Sequence, residues 1–312
     1  MDFYFESTDD KTRIHAVKYK PTGEIKAILQ IIHGMHFYMD MYKDFAENMC
    51  RHGIMVVGHD QLGHGTTATC EEERGYFTKK DGDRVLLGDV EKLRQIIVRE
   101  CPDVPYFILG DSSGSFLLRQ YLCVAGDKIN GAIICGTGNQ KKSYATFGIV
   151  STWVLGYIKG WKYKSEYITA SIYSGFNKKT TEPKNKHEWL TADQDLIDQY
   201  FKDEKCNFLL SMNGLFNLFK VIYNLHNINY LRNMPKDLPI YFISGKNDPV
   251  SHYSQATIEL VKQYEKLNMK DVKYSIYEEG RHAVLFDICK DEIYKDIILW
   301  ICDKANLDNG QQ

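Results

Sequence analysis

The sequence has no CxxC pair and no cysteines and histidines at metal-ligand spacing, although eight cysteines are scattered along its 312 residues. Neither a zinc site nor a disulfide framework is therefore expected, and dispersed thiols fit a reducing compartment. An excess of one charge is missing too. The 39 basic residues stand against 41 acidic ones, and a net charge of −2 gives no bulk attraction to nucleic acid or to an anionic membrane. Long hydrophobic runs are also lacking. The longest uncharged apolar stretch, Ser143 to Ile158, falls short of the roughly 18 to 20 residues that span a bilayer, so a buried or interfacial helix is expected there. The first residues, MDFYFESTDDKTR, offer acids and aromatics in place of a basic segment and an apolar run. No signal peptide is expected, and a cytoplasmic location is. There is no internal repeat or low-complexity segment, and the tail NLDNGQQ is expected to fray.

What is present is material for a core. Hydrophobic residues make up 44% of the chain, enough for one large α/β domain or two small ones. Eight short strand-like runs recur: DFYFES, RIHAVKYK, EIKAILQIIHG, GIMVVGHD, VPYFILG, NGAIICG, LPIYFISG and VKYSIYEE. The first two alternate like half-exposed antiparallel strands, whereas the later six read as nearly continuous apolar runs covered on both faces. Helical patterns such as MYKDFAENMCRHG, GDVEKLRQIIVREC, SGSFLLRQYLCVAG and YSQATIELVKQYEKL lie between them. The alternation predicts a mostly parallel sheet with helices on both faces. It is interrupted at about Gly138 to Met234, a stretch rich in Trp, Tyr and Phe with helical spacing, which reads as an insertion over the sheet.

The most informative turn is Gly110-Asp111-Ser112-Ser113-Gly114, between a predicted strand and a predicted helix. G-x-S-x-G in that setting is a nucleophile elbow: the central serine is held in a strained conformation, and the glycines avoid clashes with neighbouring backbone. Ser112 is the candidate nucleophile, with the helix N-terminus behind it favouring negative charge where an oxyanion forms. A serine nucleophile needs a base and an orienting acid, which in this arrangement follow in the order Ser, Asp/Glu, His. Asp248 follows the strand LPIYFISG in the turn KNDPV, and His282 follows the next strand in the loop GRHAV. Each thus falls at the carboxyl edge of a late strand, where ligands bind in parallel sheets. The strand AILQIIHG ends in His33-Gly34-Met35. Gly34 lets the backbone approach a substrate, the amides of Met35 and Ser113 are the candidate oxyanion donors, and His33 is expected to stabilise its loop through hydrogen bonds.

These motifs, together with HDQLGHGTT at His59 to Thr67, make the chain resemble the monoacylglycerol lipase and lysophospholipase branch of the α/β-hydrolases, often grouped with the serine aminopeptidases. The resemblance runs from about Lys26 to the C-terminal helix. It implies an α/β-hydrolase core over residues 1–137 and 235–312 with a helical cap at 138–234. It further implies a Ser112-His282-Asp248 triad cleaving esters of medium or long acyl chains, without metal or organic cofactor, and a structural turn at Asp60, Gly63, His64 and Gly65. The chain departs from the branch at one place: the branch has His and Met around the serine, whereas here stand Asp111 and Ser113. A buried carboxylate at 111 would need a partner or a raised pKa.

TFGIVSTWVLGYIKGW and NFLLSMNGLFNLFKVIYNL carry more large apolar residues than one buried helical face needs, and Trp153, Leu155, Phe216 and Phe219 are expected to line an acyl tunnel above Ser112. Expected partners are a small acyl ester and, through the cap, a transient membrane-surface contact; nucleic acid is not expected. Two rival readings stand beside this one. A peptidase that removes N-terminal residues would need an acidic cluster in the cap, for which Glu182, Glu188, Asp193, Asp195 and Asp198 are candidates, although their spacing favours a solvated face. A non-catalytic binding protein on the same fold would have a broken triad.

Overall fold

The computed structural model describes residues 1–180, 185 and 187–307. Its elements follow in the order β1 (Asp2–Glu6), β2 (Arg13–Tyr19), β3 (Ala27–Ile32), α1 (Lys43–Arg51), β4 (Ile54–His59), α2 (Gly82–Glu100), β5 (Tyr106–Asp111), α3 (Ser113–Ala125) and β6 (Gly131–Cys135). There follow α4 (Lys142–Lys159), α5 (Glu166–Tyr173), α6 (Gln194–Lys202), α7 (Met212–Asn224), α8 (Ile228–Leu231), β7 (Ile240–Gly245), α9 (Gln255–Lys266), β8 (Val272–Tyr277) and α10 (Lys290–Lys304). The tail expected to fray lies, from residue 308 on, outside the described residues.

The strands form one eight-stranded sheet in the order β1-β2-β4-β3-β5-β6-β7-β8, antiparallel at the β1/β2 and β2/β4 pairs and parallel elsewhere. Every residue of β3, β4, β5, β6 and β7 is buried, as their unbroken apolar runs require. Side chains alternate between two cores, because successive residues of a strand point to opposite faces. Ile28, Ile32, Ile108, Ile134 and Phe242 pack with Val90, Leu118 and Leu260 from α2, α3 and α9. Leu29, Ile31, Leu109, Ile133 and Ile243 pack with Phe45 and Met49 of α1 and with Ile297 and Ile301 of α10. The expected α/β architecture is the observed one.

Two strands differ from expectation. β2 is buried over most of its length rather than half-exposed, because its polar residues have partners: Lys18 pairs with Glu100 at the end of α2, and His15 Nδ1 lies 2.9 Å from Asp60. β8, read as covered on both faces, is an edge strand paired only with β7, and it leaves Lys273 and Tyr274 exposed.

Between β6 and β7 the described residues hold five helices and no strand beyond a single bridge from Lys164 to Ser211. Four of these helices begin on side-chain caps that satisfy otherwise orphaned amides: Ser165 for α5, Asp193 for α6, Ser211 for α7 and Asn227 for α8. α7 lies against α2, α3 and α4, and its Leu215, Phe219 and Ile222 join the core on the α3 side of the sheet. The eight cysteines are free thiols. Among the described residues no helix is long and apolar enough to cross a membrane.

Candidate active site

The site is built where β5 turns into α3. Ser112 adopts φ 51° and ψ −117°, a conformation costly for a residue with a Cβ, and one that persists only where the surroundings fix it. They do so closely. The Ser112 amide donates to Cys135 O on β6 at 3.0 Å, and Ser112 O accepts from the Ser115 amide at 2.9 Å. A Cβ at Gly114 would come 2.1 Å from Ile32 O, and one at Gly110 would come 2.6 Å from Gly114 O. Only glycine fits at either position, which is why the turn reads as it does.

The Ser112 hydroxyl donates to His282 Nε2 at 2.7 Å, and His282 Nδ1 donates to Asp248 Oδ1 at 2.9 Å. This tautomer is the one that the two partners require. Asp248 is fully buried and also accepts the Val250 amide at 2.8 Å. Its turn is completed by His252, Tyr253 and Ser254, three consecutive residues with positive φ. His282 is buried beneath Trp189, whose ring centroid lies 5.2 Å from its own. Burial pulls the imidazole pKa down, but the charge and hydrogen bond of Asp248, with the field of Asp111, outweigh it and leave it above its ordinary value. An imidazole so placed can take the hydroxyl proton and share the resulting charge with Asp248.

Met35 and Ser113 lie together at the rim of the site, and among the described residues neither backbone N–H has a protein acceptor. A Cβ at Gly34 would stand 3.2 Å from Ser112 Cβ, so the Gly34 backbone runs close past the serine. His33 is buried, donates from Nδ1 to Gly34 O at 2.8 Å and accepts the Gln61 amide at Nε2 at 2.9 Å. Burial and then the charge of His64 push its pKa down to about 3, so it is neutral and serves the loop.

The turn after β4 is held by Asp60, which accepts from His15 Nδ1 and from the amides of Met39 and Thr66. Gly63 and Gly65 have φ of 74° and 48°. The His64 ring sits between Met35 O at 2.7 Å and Leu62 O at 2.9 Å. A neutral ring, which burial favours, donates to one of them at a time. His64 thus braces the turn that carries Met35.

Asp111 is buried, accepts from the Tyr42 hydroxyl at 2.6 Å, and has a pKa pushed up to about 6 by burial. Both of the outcomes open to a buried carboxylate there occur together.

The residues expected to line an acyl tunnel lie elsewhere than the cavity that touches Met35 and Ser113. Beside Met35 and Ser113 lies an apolar cavity of about 20 Å³, lined also by Phe77, Leu117, Leu218 and Val221. None of Trp153, Leu155, Phe216 and Phe219 lines it. Trp153 is half exposed and stacks on Tyr157. Phe219 is packed on Gly148 and Tyr144, Phe216 lies edge-on to Trp161, and Leu155 borders the core. The cause is helical phase: Leu218 and Val221, three residues apart on α7, face the cavity, while Phe219 points round to α4.

The candidate acids do not gather at Ser112. Glu188 is buried rather than solvated and accepts from Asn185, Gln194 and Arg281. Asp193 caps α6, Asp195 and Asp198 are exposed, and Glu182 lies outside the described residues. Sequence reasoning missed Tyr42, Gln61 and Trp189. Of these only Gln61 sits inside a motif, HDQLGHG.

The family model described as "Serine aminopeptidase, S33" matches residues 23–288. The chain belongs to this family. As a serine aminopeptidase family member it has relatives of the lipase kind: it is 22% identical over 306 residues to a monoglyceride lipase homolog of Monkeypox virus, covering 95% of this chain and 96% of that one. In structure it is similar to a thermostable carboxyl esterase from Bacillus coagulans solved with glycerol, at a TM-score of 0.90 and 25% identity over 98% of both chains. A soluble variant of monoglyceride lipase from Saccharomyces cerevisiae shares the fold at a TM-score of 0.76 and 17% identity, over 97% of this chain and 94% of that one. The α/β-hydrolase fold of this family member is thereby established.

Proposed function

We propose that the protein is a serine hydrolase that cleaves carboxylic esters of acyl chains, acting as a monoglyceride lipase or related carboxylesterase. The observation that carries this reading is the unbroken line from Ser112 Oγ through His282 to buried Asp248, beside two amides that have no acceptor among the described residues. As Ser112 Oγ attacks the ester carbonyl, His282 Nε2 takes its proton and Asp248 stabilises the imidazolium. The amides of Met35 and Ser113 receive the oxyanion. Collapse expels the alcohol, which takes the proton from His282 and leaves an acyl-Ser112. Water, deprotonated by His282, then attacks that acyl group; the carboxylic acid departs and Ser112 regains its proton.

The acyl chain enters the apolar cavity beside Met35 and Ser113. At about 20 Å³ that cavity has room for little more than a water, so a chain of any length requires Leu218 and Val221 to give way. In this reading residues 138–234 are a cap on the core of residues 1–137 and 235–312. The exposed Phe147, Val150, Trp153, Tyr157 and Ile158 of α4, near Lys141, Lys142 and Lys159, suit brief contact with a lipid surface that delivers substrate.

A panel of p-nitrophenyl esters from acetate to decanoate, monoacylglycerols, lysophospholipids and aminoacyl anilides tests the reading. Esters are expected to be cleaved, with kcat/KM rising several-fold per added pair of carbons until the cavity is filled, since each buried methylene contributes roughly 0.8 kcal/mol. Preference for aminoacyl anilides would establish the peptidase instead.

A further inference from the structure

A buried carboxylate stands directly before the candidate nucleophile, and its surroundings give it a task. Asp111 is 1% exposed; its Oδ2 accepts from the Tyr42 hydroxyl at 2.6 Å, while Oδ1 has no partner among the described residues. Tyr42 comes from the 3-10 turn Met39–Tyr42 and is fully buried, with its ring against Phe37 and Phe286. With its hydrogen directed to Asp111, the phenol oxygen accepts a hydrogen bond from the Gly34 amide at 3.3 Å. Gly34 O in turn accepts from His33 Nδ1 at 2.8 Å and from the Phe37 amide at 3.1 Å. Tyr42 therefore pins the peptide on the N-terminal side of Gly34, and His33 and Phe37 pin the Gly34–Met35 peptide, which carries the Met35 N–H, on the other side.

Glycine has the widest conformational freedom of any residue. Without those bonds the peptide could turn its N–H away from the serine. A charged acceptor makes the phenol bond shorter and stronger than a neutral one would, and polarises the hydroxyl oxygen that holds Gly34. The ionisable groups that act on Asp111, or feel its charge, are Tyr42, Cys135 on β6, Asp248 after β7 and His282 after β8.

We propose that Asp111 and Tyr42 are positioning residues: by fixing the His33–Gly34 peptide through the Gly34 N–H, they anchor the backbone from which the adjoining Gly34–Met35 peptide presents its N–H to an oxyanion. The inference rests on the reading of Met35 as an oxyanion donor in ester hydrolysis.

Tyr42→Phe, Asp111→Asn and the double variant, made in the full chain, test it with p-nitrophenyl butyrate and a tetrahedral boronate inhibitor. Direct loss of an oxyanion donor costs about 10² to 10³ in kcat, and loss of its support costs less. Tyr42→Phe is expected to lower kcat about 10- to 100-fold with KM within about twofold, and to weaken boronate binding in parallel. Asp111→Asn, which keeps a neutral oxygen acceptor, is expected to lose about 3- to 10-fold, and the double variant to be no worse than Tyr42→Phe, as coupled residues behave. Unchanged kcat in Tyr42→Phe, equal changes in kcat and KM, or multiplicative losses in the double variant would overturn the proposal. If Tyr42→Phe does not fold, the isosteric Asp111→Asn is judged by its kcat, KM and boronate affinity alone. Full activity in a Ser112→Ala control would refute the ester-hydrolase reading itself; an inactive Ser112→Ala beside an unimpaired Tyr42→Phe would refute only the positioning role.

Discussion

The turn at Gly110 to Gly114 and the helix α4 both depend on small residues, yet their sequences constrain them in opposite ways. In the turn three positions are tightly constrained, because backbone oxygens stand where a Cβ at Gly110 or Gly114 would go and Ser112 is held at positive φ. In α4 the small residues are the ones that pack. Ala145, Gly148, Thr152 and Gly156 form its buried seam, while Phe147, Val150, Trp153, Tyr157 and Ile158 stay more than half exposed. A Cβ at Gly148 would lie 2.5 Å from the Phe219 ring, so the glycine is the hole into which that ring fits. Large apolar side chains mark the interior in the sheet and the exterior in this helix.

The sharpest way to strain that contrast is to disturb the chemistry while leaving the fold intact. Asp248→Asn preserves shape but removes the charge that orients and stabilises the imidazole. The expected loss in kcat is on the order of 10⁴-fold, as for an orienting carboxylate in a serine triad. Only neutral His282 can accept a proton, and its pKa is raised. The wild-type kcat/KM should therefore rise with pH through an inflection above the ordinary imidazole value of about 6.5, and residual activity of the variant should have its inflection lower. A pH profile of both enzymes checks the sign; an inflection unmoved by Asp248→Asn would remove the carboxylate from the account.

Smaller effects separate the two faces of α4. Gly148→Val drives side-chain atoms into Phe219, and overpacking of this kind costs about 1 to 3 kcal/mol, visible as a lower Tm by calorimetry. Phe147→Ser with Trp153→Ser, on the outer face, should change stability by no more than about 0.5 kcal/mol per site. Hydrolysis of a soluble ester should be untouched, while sedimentation with phosphatidylcholine vesicles decreases. A large stability loss in the outer-face pair would mean that those residues are covered after all.

These regions also mark how far the sequence could be read. The inner strands were legible because a strand covered on both faces must be apolar throughout, and the elbow, Asp248 and His282 because a strand-to-helix turn and two later loops admit few residue types. The alternation of β2 does not reveal its burial, because His15 and Lys18 are covered only through their pairing with Asp60 and Glu100. Which large apolar residues face the cavity beside Ser113 was not legible, because residue size does not reveal helical phase, and the small-residue seam of α4 inverts the usual relation of size to burial. Tyr42 was illegible for another reason. Its role depends on contacts with Gly34 and Asp111, and no local spacing records such a meeting.

Covalent labelling tests the central claim most directly: the full chain is treated with a fluorophosphonate, digested, and the adduct located by mass spectrometry. A single adduct on Ser112 is predicted, formed in proportion to the loss of ester hydrolysis, absent in Ser112→Ala and retained in Ser113→Ala. An adduct on another residue, or ester hydrolysis that persists in unlabelled Ser112→Ala, would contradict the account.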